Sequence, residues 1–92
     1  MPEALSHYTT AGFWEAYARL PAEVQQQADS QFERMKADPH HPSLRFQPKI
    51  GDYWAARVNQ SYRALARYQG NGCFLWVWIG THREYEHLLK RQ

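Results

Sequence analysis

The stretch YWAARVNQSYRALARYQGNGCFLWVWIG (residues 53–80) decides the fold, because its side chains alternate with a period of two. Apolar and polar or basic residues alternate over 53–59 and again over 62–68. In a strand this alternation places one set of side chains on each face, so two strands of one sheet are predicted. The GNG sequence at 70–72 is a hairpin signal, and the apolar run 73–79 predicts an interior strand covered on both faces.

The segment directly before this stretch predicts a further strand, beginning near residue 43. Leu44 and Phe46 alternate with Arg45 and Lys49, which would place both bases on one face. The Gly51-Asp52 pair then predicts a turn into the next strand.

Two helices are predicted ahead of the strands. Thr9 or Thr10 can cap the first helix, and Pro21 ends it and opens the second. In the second helix apolar residues recur every three or four positions, so one stripe is buried. Asp38-Pro39 should end this helix, because the residue before a proline avoids the helical region.

A last helix is predicted to close the chain. Gly80 releases the chain from the strand, and the helix begins at about Thr81 or His82 and runs to Lys90. Residues 4–8 could add a short strand at the start. We therefore predict an α+β fold: a helical hairpin packed on a small antiparallel four-stranded sheet, with an optional N-terminal strand and a C-terminal helix.

Length and charge define the class further. The 92 residues predict one domain over 1–92. The net charge is only +2, but residues 43–67 carry five Lys or Arg against one acid, whereas residues 1–42 are acidic. Because the basic segment is predicted to be strand, its charge should gather on one face of the sheet and attract a polyanion.

Several classes are excluded by composition. The chain has a single cysteine, no basic and apolar leader of the secretory type, and no apolar run long enough to span a bilayer. We therefore expect a cytoplasmic protein without membrane association. No metal-ligand cluster and no glycine-rich phosphate loop is visible, so no metal and no small-molecule cofactor are expected.

Three stretches together resemble the RelE/ParE toxin superfamily of bacterial type II toxin–antitoxin systems. They are LPAEVQQQADSQFERMKADPHHPSLRF (20–46), YWAARVNQSYRALARY (53–68) and WVWIGTHREYEHLL (76–89). The resemblance covers nearly the whole chain, and the fold it implies agrees with the order of elements predicted above.

The resemblance implies a function and a set of site residues. The better-known enzymes of this superfamily are ribosome-dependent mRNA interferases, endoribonucleases that inhibit translation. A toxin of this kind would cut mRNA in the ribosomal A site by attack of a ribose 2′-hydroxyl on the neighbouring phosphate, without a cofactor, and would have a cognate antitoxin as its partner. By this resemblance Arg57 and Arg63 would hold the phosphate, His82 would move a proton, and Tyr85 would help to position the substrate.

Other residues are candidates for RNA binding. Arg45, Lys49 and Arg67 would contact the RNA backbone through their charge. Tyr53, close to Arg57 on its strand, would stack on a base.

Two alternatives remain open at this stage. The protein could be a ParE-like toxin that poisons DNA gyrase, although such members generally lack a histidine like His82. It could also be a non-toxic relative, because residues 43–49 contain no carboxylate where YoeB-like members carry a glutamate. Only Lys49 remains in the region where RelE carries a lysine cluster.

Overall fold

The order of elements in the computed structural model, which describes residues 5–91, is strand, two helices, four strands and a helix. The strands are β1 (Ser6–Thr9), β2 (Gln47–Pro48), β3 (Tyr53–Arg57), β4 (Tyr62–Gly70) and β5 (Cys73–Thr81). The helices are α1 (Ala11–Ala18), α2 (Ala22–Ala37) and α3 (His82–Lys90), and a 3₁₀ turn covers Pro42–Leu44.

The helices begin and end where local chemistry predicts. The Thr10 hydroxyl caps α1 by accepting the Phe13 N–H at 3.1 Å. Pro21 directly precedes α2, and Asp38 ends it ahead of Pro39. Both predicted helices of the hairpin are therefore confirmed.

The five strands form one sheet in the order β1-β5-β4-β3-β2. β1 runs parallel to β5, and the other neighbouring strands are antiparallel. The predicted α+β class is confirmed, but the sheet is five-stranded and mixed rather than four-stranded and antiparallel. The optional N-terminal strand is present as β1; residue 4, the first position predicted for it, lies outside the described residues.

The prediction of a long strand beginning near residue 43 is wrong. That region starts with the 3₁₀ turn, continues through Arg45 in the left-handed conformation (φ 44°), and pairs only over β2. The His41 ring accepts the Ser43 N–H at 3.2 Å, which favours the turn. Leu44 is fully buried and anchors the turn to the core. The apolar alternation therefore reflects anchoring of a turn, not strand pairing.

Two glycine-containing turns shape the antiparallel strands as predicted. Gly51 has φ 57°, and the Tyr53 N–H donates to the Ile50 carbonyl at 2.9 Å, which closes the turn between β2 and β3. Asn71 and Gly72 have φ values of 53° and 73°. Two successive positive values are typical of the tight hairpin turn that joins β4 and β5.

A β-bulge in the middle of β5 changes which side chains face each side of the sheet. Ala66 pairs with Trp76, but Leu65 pairs with Trp78, so β5 has one extra residue at this point. Beyond the bulge Ile79 joins the core under the helical hairpin. Trp78 packs with Leu65 on the side covered by α3 and also packs against the larger core.

Each face of the sheet carries its own core. The larger core lies under α1 and α2 and contains Ala16, Leu20, Val24, Met35, Leu44, Ala56, Val58, Ala64, Ala66, Phe74, Trp76 and Ile79. The smaller core lies under α3 and contains Ala55, Leu65 and Tyr85, with Leu88 and Leu89 packed against it. Among the described residues, no helix has the length and apolar character that a bilayer span needs.

The last helix begins at His82 and ends at Lys90, as predicted, but Gly80 lies within β5 rather than ending it. Gly80 pairs with Arg63, and β5 continues to Thr81. A Cβ at Gly80 would come within 2.8 Å of a Trp78 ring atom and 2.9 Å of a Glu84 carboxylate oxygen. The absence of a side chain here lets Trp78 and α3 pack closely.

Replacing Gly80 by alanine is therefore expected to lower the free energy of unfolding by about 1–3 kcal/mol, the usual cost of overpacking. Gly12→Ala is the matched control, because the nearest atom to its new Cβ would lie at an ordinary 3.6 Å and the position is helical. That variant should be neutral or more stable by up to about 1 kcal/mol. Urea denaturation of both variants measures the difference, and equal stability would refute the packing argument.

Candidate functional site

A groove of about 470 Å³ lies between α3, the sheet and the segment that leads into β3. Its basic side chains come from three parts of the chain and are Arg45, Lys49, Arg57, Arg63 and Lys90. From α3 the groove is also lined by His82, Tyr85 and Glu86. Positive charge, an imidazole and a carboxylate therefore share one cavity.

The register of β3 and β4 places two arginines directly opposite each other. Arg57 pairs with Arg63, two positions along from the buried pair of Ala55 and Leu65. Like charges opposite one another on neighbouring strands repel. Burial lowers the pKa of the Arg63 guanidinium, and the charges of Arg57 and Arg45 lower that pKa further. An anion bound in the groove would relieve this repulsion.

The two arginines differ in their partners. The Arg63 guanidinium donates to the backbone carbonyls of Asn59 at 2.7 Å and Tyr62 at 2.9 Å, so it braces the loop between β3 and β4. For the half-buried Arg57 side chain, no hydrogen bond or ion pair is present within residues 5–91. Arg57 is therefore the better placed of the two arginines to bind an external anion.

The start of α3 is fixed by a capping box. The Thr81 hydroxyl accepts the Glu84 N–H at 3.1 Å, and the Glu84 carboxylate accepts the Thr81 N–H at 3.0 Å. The His82 N–H donates to the Ser61 carbonyl at 2.7 Å. These bonds tie the first turn of the helix to the loop between β3 and β4 and set the position of His82.

The His82 ring is oriented along α3. Its Nε2 lies 3.6 Å from a Glu86 carboxylate oxygen, and its centroid lies 5.5 Å from that of Tyr85. Its Nδ1 is buried, with no hydrogen-bond partner in the described part of the chain. Nε2 is therefore the ring nitrogen of His82 that is available for proton transfer.

Burial raises the pKa of the Tyr85 phenol, which therefore stays protonated near neutral pH.

Arg45 and Lys49 both line the groove, although not as neighbours on a regular strand. Arg45 has φ 44°, a left-handed conformation that is unfavourable for residues other than glycine. Its side chain is exposed. The chain thus accepts local strain at a residue that adds charge to the groove.

Tyr53 and Arg67, predicted to bind RNA, lie outside the lining of this groove. They pair with each other at the far end of β3 and β4, with the Arg67 guanidinium 5.4 Å from the Tyr53 ring. Arg67 also forms an ion pair with Asp52 at 3.1 Å, and hydrogen bonding to that carboxylate raises the pKa of the guanidinium. Tyr53 lines a separate small cavity beside Leu65.

Three polar residues that line the groove were not singled out from the sequence: Gln47, Glu86 and Lys90. Glu86 and Lys90 follow His82 at intervals of four. Residues four apart on a helix share a face, so this spacing was the available signal.

The arrangement suits binding of a phosphodiester followed by proton transfer. Arginine binds phosphate through charge-assisted hydrogen bonds, and histidine and carboxylate groups serve as general acids and bases. Within residues 5–91, no three His, Cys, Asp or Glu side chains are grouped so that they could hold a metal ion.

Comparison with protein families decides the classification. A model of the ParE-like toxin domain matches residues 22–87, which include both arginines, His82 and Glu86. The chain belongs to the ParE-like toxin domain family. It is thus a member of the RelE/ParE superfamily of toxins from toxin–antitoxin systems, as the resemblance implied. No curated protein sequence matches the chain significantly.

Solved structures show the same fold at low sequence identity. The YoeB/ParE toxin from Agrobacterium tumefaciens is 20% identical, with a TM-score of 0.64 over 85% of this chain and 99% of that one. A mutant of the E. coli toxin RelE in the free state is 15% identical, with a TM-score of 0.63 over 96% and 97% of the two chains. A chain of the RelB–RelE antitoxin–toxin complex from Methanococcus jannaschii is 12% identical, with a TM-score of 0.64 over 88% of this chain and 96% of that one.

The two opposed arginines should differ in their effect on stability. Arg57→Gln and Arg63→Gln remove the same cross-strand repulsion, but only the second also removes hydrogen bonds to the loop. We expect Arg57→Gln to be the more stable of the two by about 1–2 kcal/mol. Urea denaturation of both variants at one ionic strength tests this, and a reversed order would show that Arg57 is structural.

The capping box should make stability depend on pH. Hydrogen bonds from the Thr81 backbone and hydroxyl lower the pKa of Glu84 in the folded protein. The carboxylate therefore stabilises the fold above its unfolded pKa, and this contribution is lost as pH falls through the lowered value. Compared with wild type, Glu84→Gln should be less stable at neutral pH, and the gap should close in acid. Unfolding curves across this pH range would contradict the argument if the gap were constant.

Proposed function

We propose that the protein is the toxin of a toxin–antitoxin system and acts as a ribosome-dependent mRNA interferase in the cytoplasm. The observation that carries this proposal is the meeting of Arg57 and His82 in one groove. The Arg57 side chain has no hydrogen bond or ion pair within the described residues and can bind a phosphate, while His82 presents Nε2 for proton transfer.

The proposed reaction uses these groups in a simple way. The groove cations hold the RNA backbone, and Arg57 neutralises charge that develops on the attacked phosphate. The ribose 2′-hydroxyl attacks that phosphate, and His82 protonates the departing 5′-oxygen. Tyr85, which is buried and protonated, packs against the His82 ring and helps to hold it in place.

The partner we propose is a cognate antitoxin. One structural relative was solved as a RelB–RelE antitoxin–toxin complex. Because five basic side chains line the groove, an acidic segment of an antitoxin would complement it and block RNA entry.

A second candidate function is poisoning of DNA gyrase, favoured by the match to a ParE-like family model. Cells poisoned in this way would stop growing and induce a DNA-damage response with their messages intact. Loss of mRNA before any such response favours the interferase instead.

The test is induction of wild type, Arg57→Ala and His82→Ala in a bacterial host, with mRNA 5′ ends mapped by primer extension. The interferase hypothesis predicts that wild type arrests growth and makes new cuts in translated messages. In each variant cleavage should be about 100-fold slower or worse, and growth arrest should be relieved. Arg19→Ala is the control, because that arginine is exposed and lies outside the groove. Growth arrest without cleavage would support gyrase poisoning, and harmless expression of folded protein would indicate a non-toxic relative.

A further inference from the structure

We propose that Glu86 is the general base of RNA cleavage, an inference that rests on the function proposed above. The sequence shows no carboxylate in the strand region where the resemblance would place one. The structure brings one to the groove from α3 instead.

Glu86 is the sole carboxylate that lines the groove among the described residues. Its carboxylate oxygen lies 3.6 Å from Nε2 of His82, and both side chains remain about half exposed. Five basic side chains line the same cavity. A carboxylate therefore lies in an otherwise basic groove, next to an imidazole.

Neither stability nor affinity accounts for a carboxylate in this position. An exposed histidine–glutamate pair four residues apart on a helix contributes little to folding. A negative charge also repels a polyanion and so weakens the binding for which the groove is suited. A catalytic role accounts for the carboxylate despite this weaker binding, because cleavage by a 2′-hydroxyl needs a group that accepts its proton.

In the proposed step Glu86 removes the proton of the ribose 2′-hydroxyl while the 2′-oxygen bonds to phosphorus. The bond from phosphorus to the 5′-oxygen breaks, and that oxygen takes a proton from the protonated His82 imidazole. The products are a 2′,3′-cyclic phosphate and a 5′-hydroxyl end. Glu86 has then gained one proton and His82 has lost one, so transfer between them restores the site.

The spacing of Glu86 and His82 on α3 allows one to act as the base and the other as the acid. The two residues lie one turn apart on α3, which separates their backbones by about 5–6 Å. Because both side chains are exposed, they can move apart to contact the two sides of a bound phosphate. In the free protein the two groups lie 3.6 Å apart, so a small side-chain movement brings them into hydrogen-bond distance for proton return.

The experiment measures single-turnover cleavage by purified protein on ribosomes programmed with mRNA. Glu86→Gln is compared with wild type, and Glu33→Gln is the matched control. Glu33 is also an exposed helical carboxylate in an ion pair, with Lys36 at 2.8 Å, but it lies outside the groove. We expect Glu86→Gln to cleave about 100-fold slower or worse. It should bind 2′-deoxy mRNA complexes at least as tightly as wild type, and the control should match wild type in both measurements.

A second substrate separates the base from the acid. When sulfur replaces the 5′-bridging oxygen at the cleavage site, the leaving group departs without a proton. This substrate should restore cleavage by His82→Ala but not by Glu86→Gln. Restoration of Glu86→Gln instead would overturn the assignment, because Glu86 would then act through the leaving group or through His82.

The outcomes separate this inference from the function on which it rests. If wild type leaves ribosome-bound mRNA intact, the proposed function fails and the role of Glu86 fails with it. If wild type cleaves and Glu86→Gln cleaves equally fast, the interferase stands and the role of Glu86 is refuted. Circular dichroism of each variant checks that the helix is retained.

Discussion

The pairing of Arg57 with Arg63 across β3 and β4 is the constraint on which the rest of the site depends. A slip of β3 by one residue would turn Arg57 into the core under the helical hairpin and Ala56 toward the groove. The buried pair of Ala55 and Leu65 on the same face holds the register, because α3 packs directly on it. Apolar packing two residues away thus keeps the two arginines opposite each other despite their repulsion.

The position of α3 is the second requirement. Three features bring its first turn to the arginine pair: the β-bulge in β5, the bare backbone of Gly80 and the capping box at Thr81. The bulge turns Trp78 toward α3, and Gly80 leaves room for its ring. His82 then begins the helix beside β4, and Glu86 and Lys90 follow on the same helical face.

Solved members of this superfamily keep the fold of this chain at low sequence identity. The structures compared above share 20% or less of their sequence with this chain, yet nearly their whole length superposes. Fold similarity therefore says little about chemistry, which depends on the groove of each member. In this chain the groove combines strand arginines with a histidine and a carboxylate from one helix, and the proposed activity is argued from that combination.

Local sequence signals determined most of the elements. Thr10, Pro21 and Pro39 set the helix boundaries, and the period of two identified β3 and β4, because these signals act between neighbouring residues. At Leu44 the same period gave a wrong prediction, because a buried residue in a turn produced the alternation expected of a strand. What only the tertiary structure decided was the parallel pairing of β1, the bulge, and which bases share the groove with His82. These depend on contacts between residues far apart in sequence: Arg67 is drawn to Asp52, while Glu86 is carried to the arginines by the packing of α3 on the sheet.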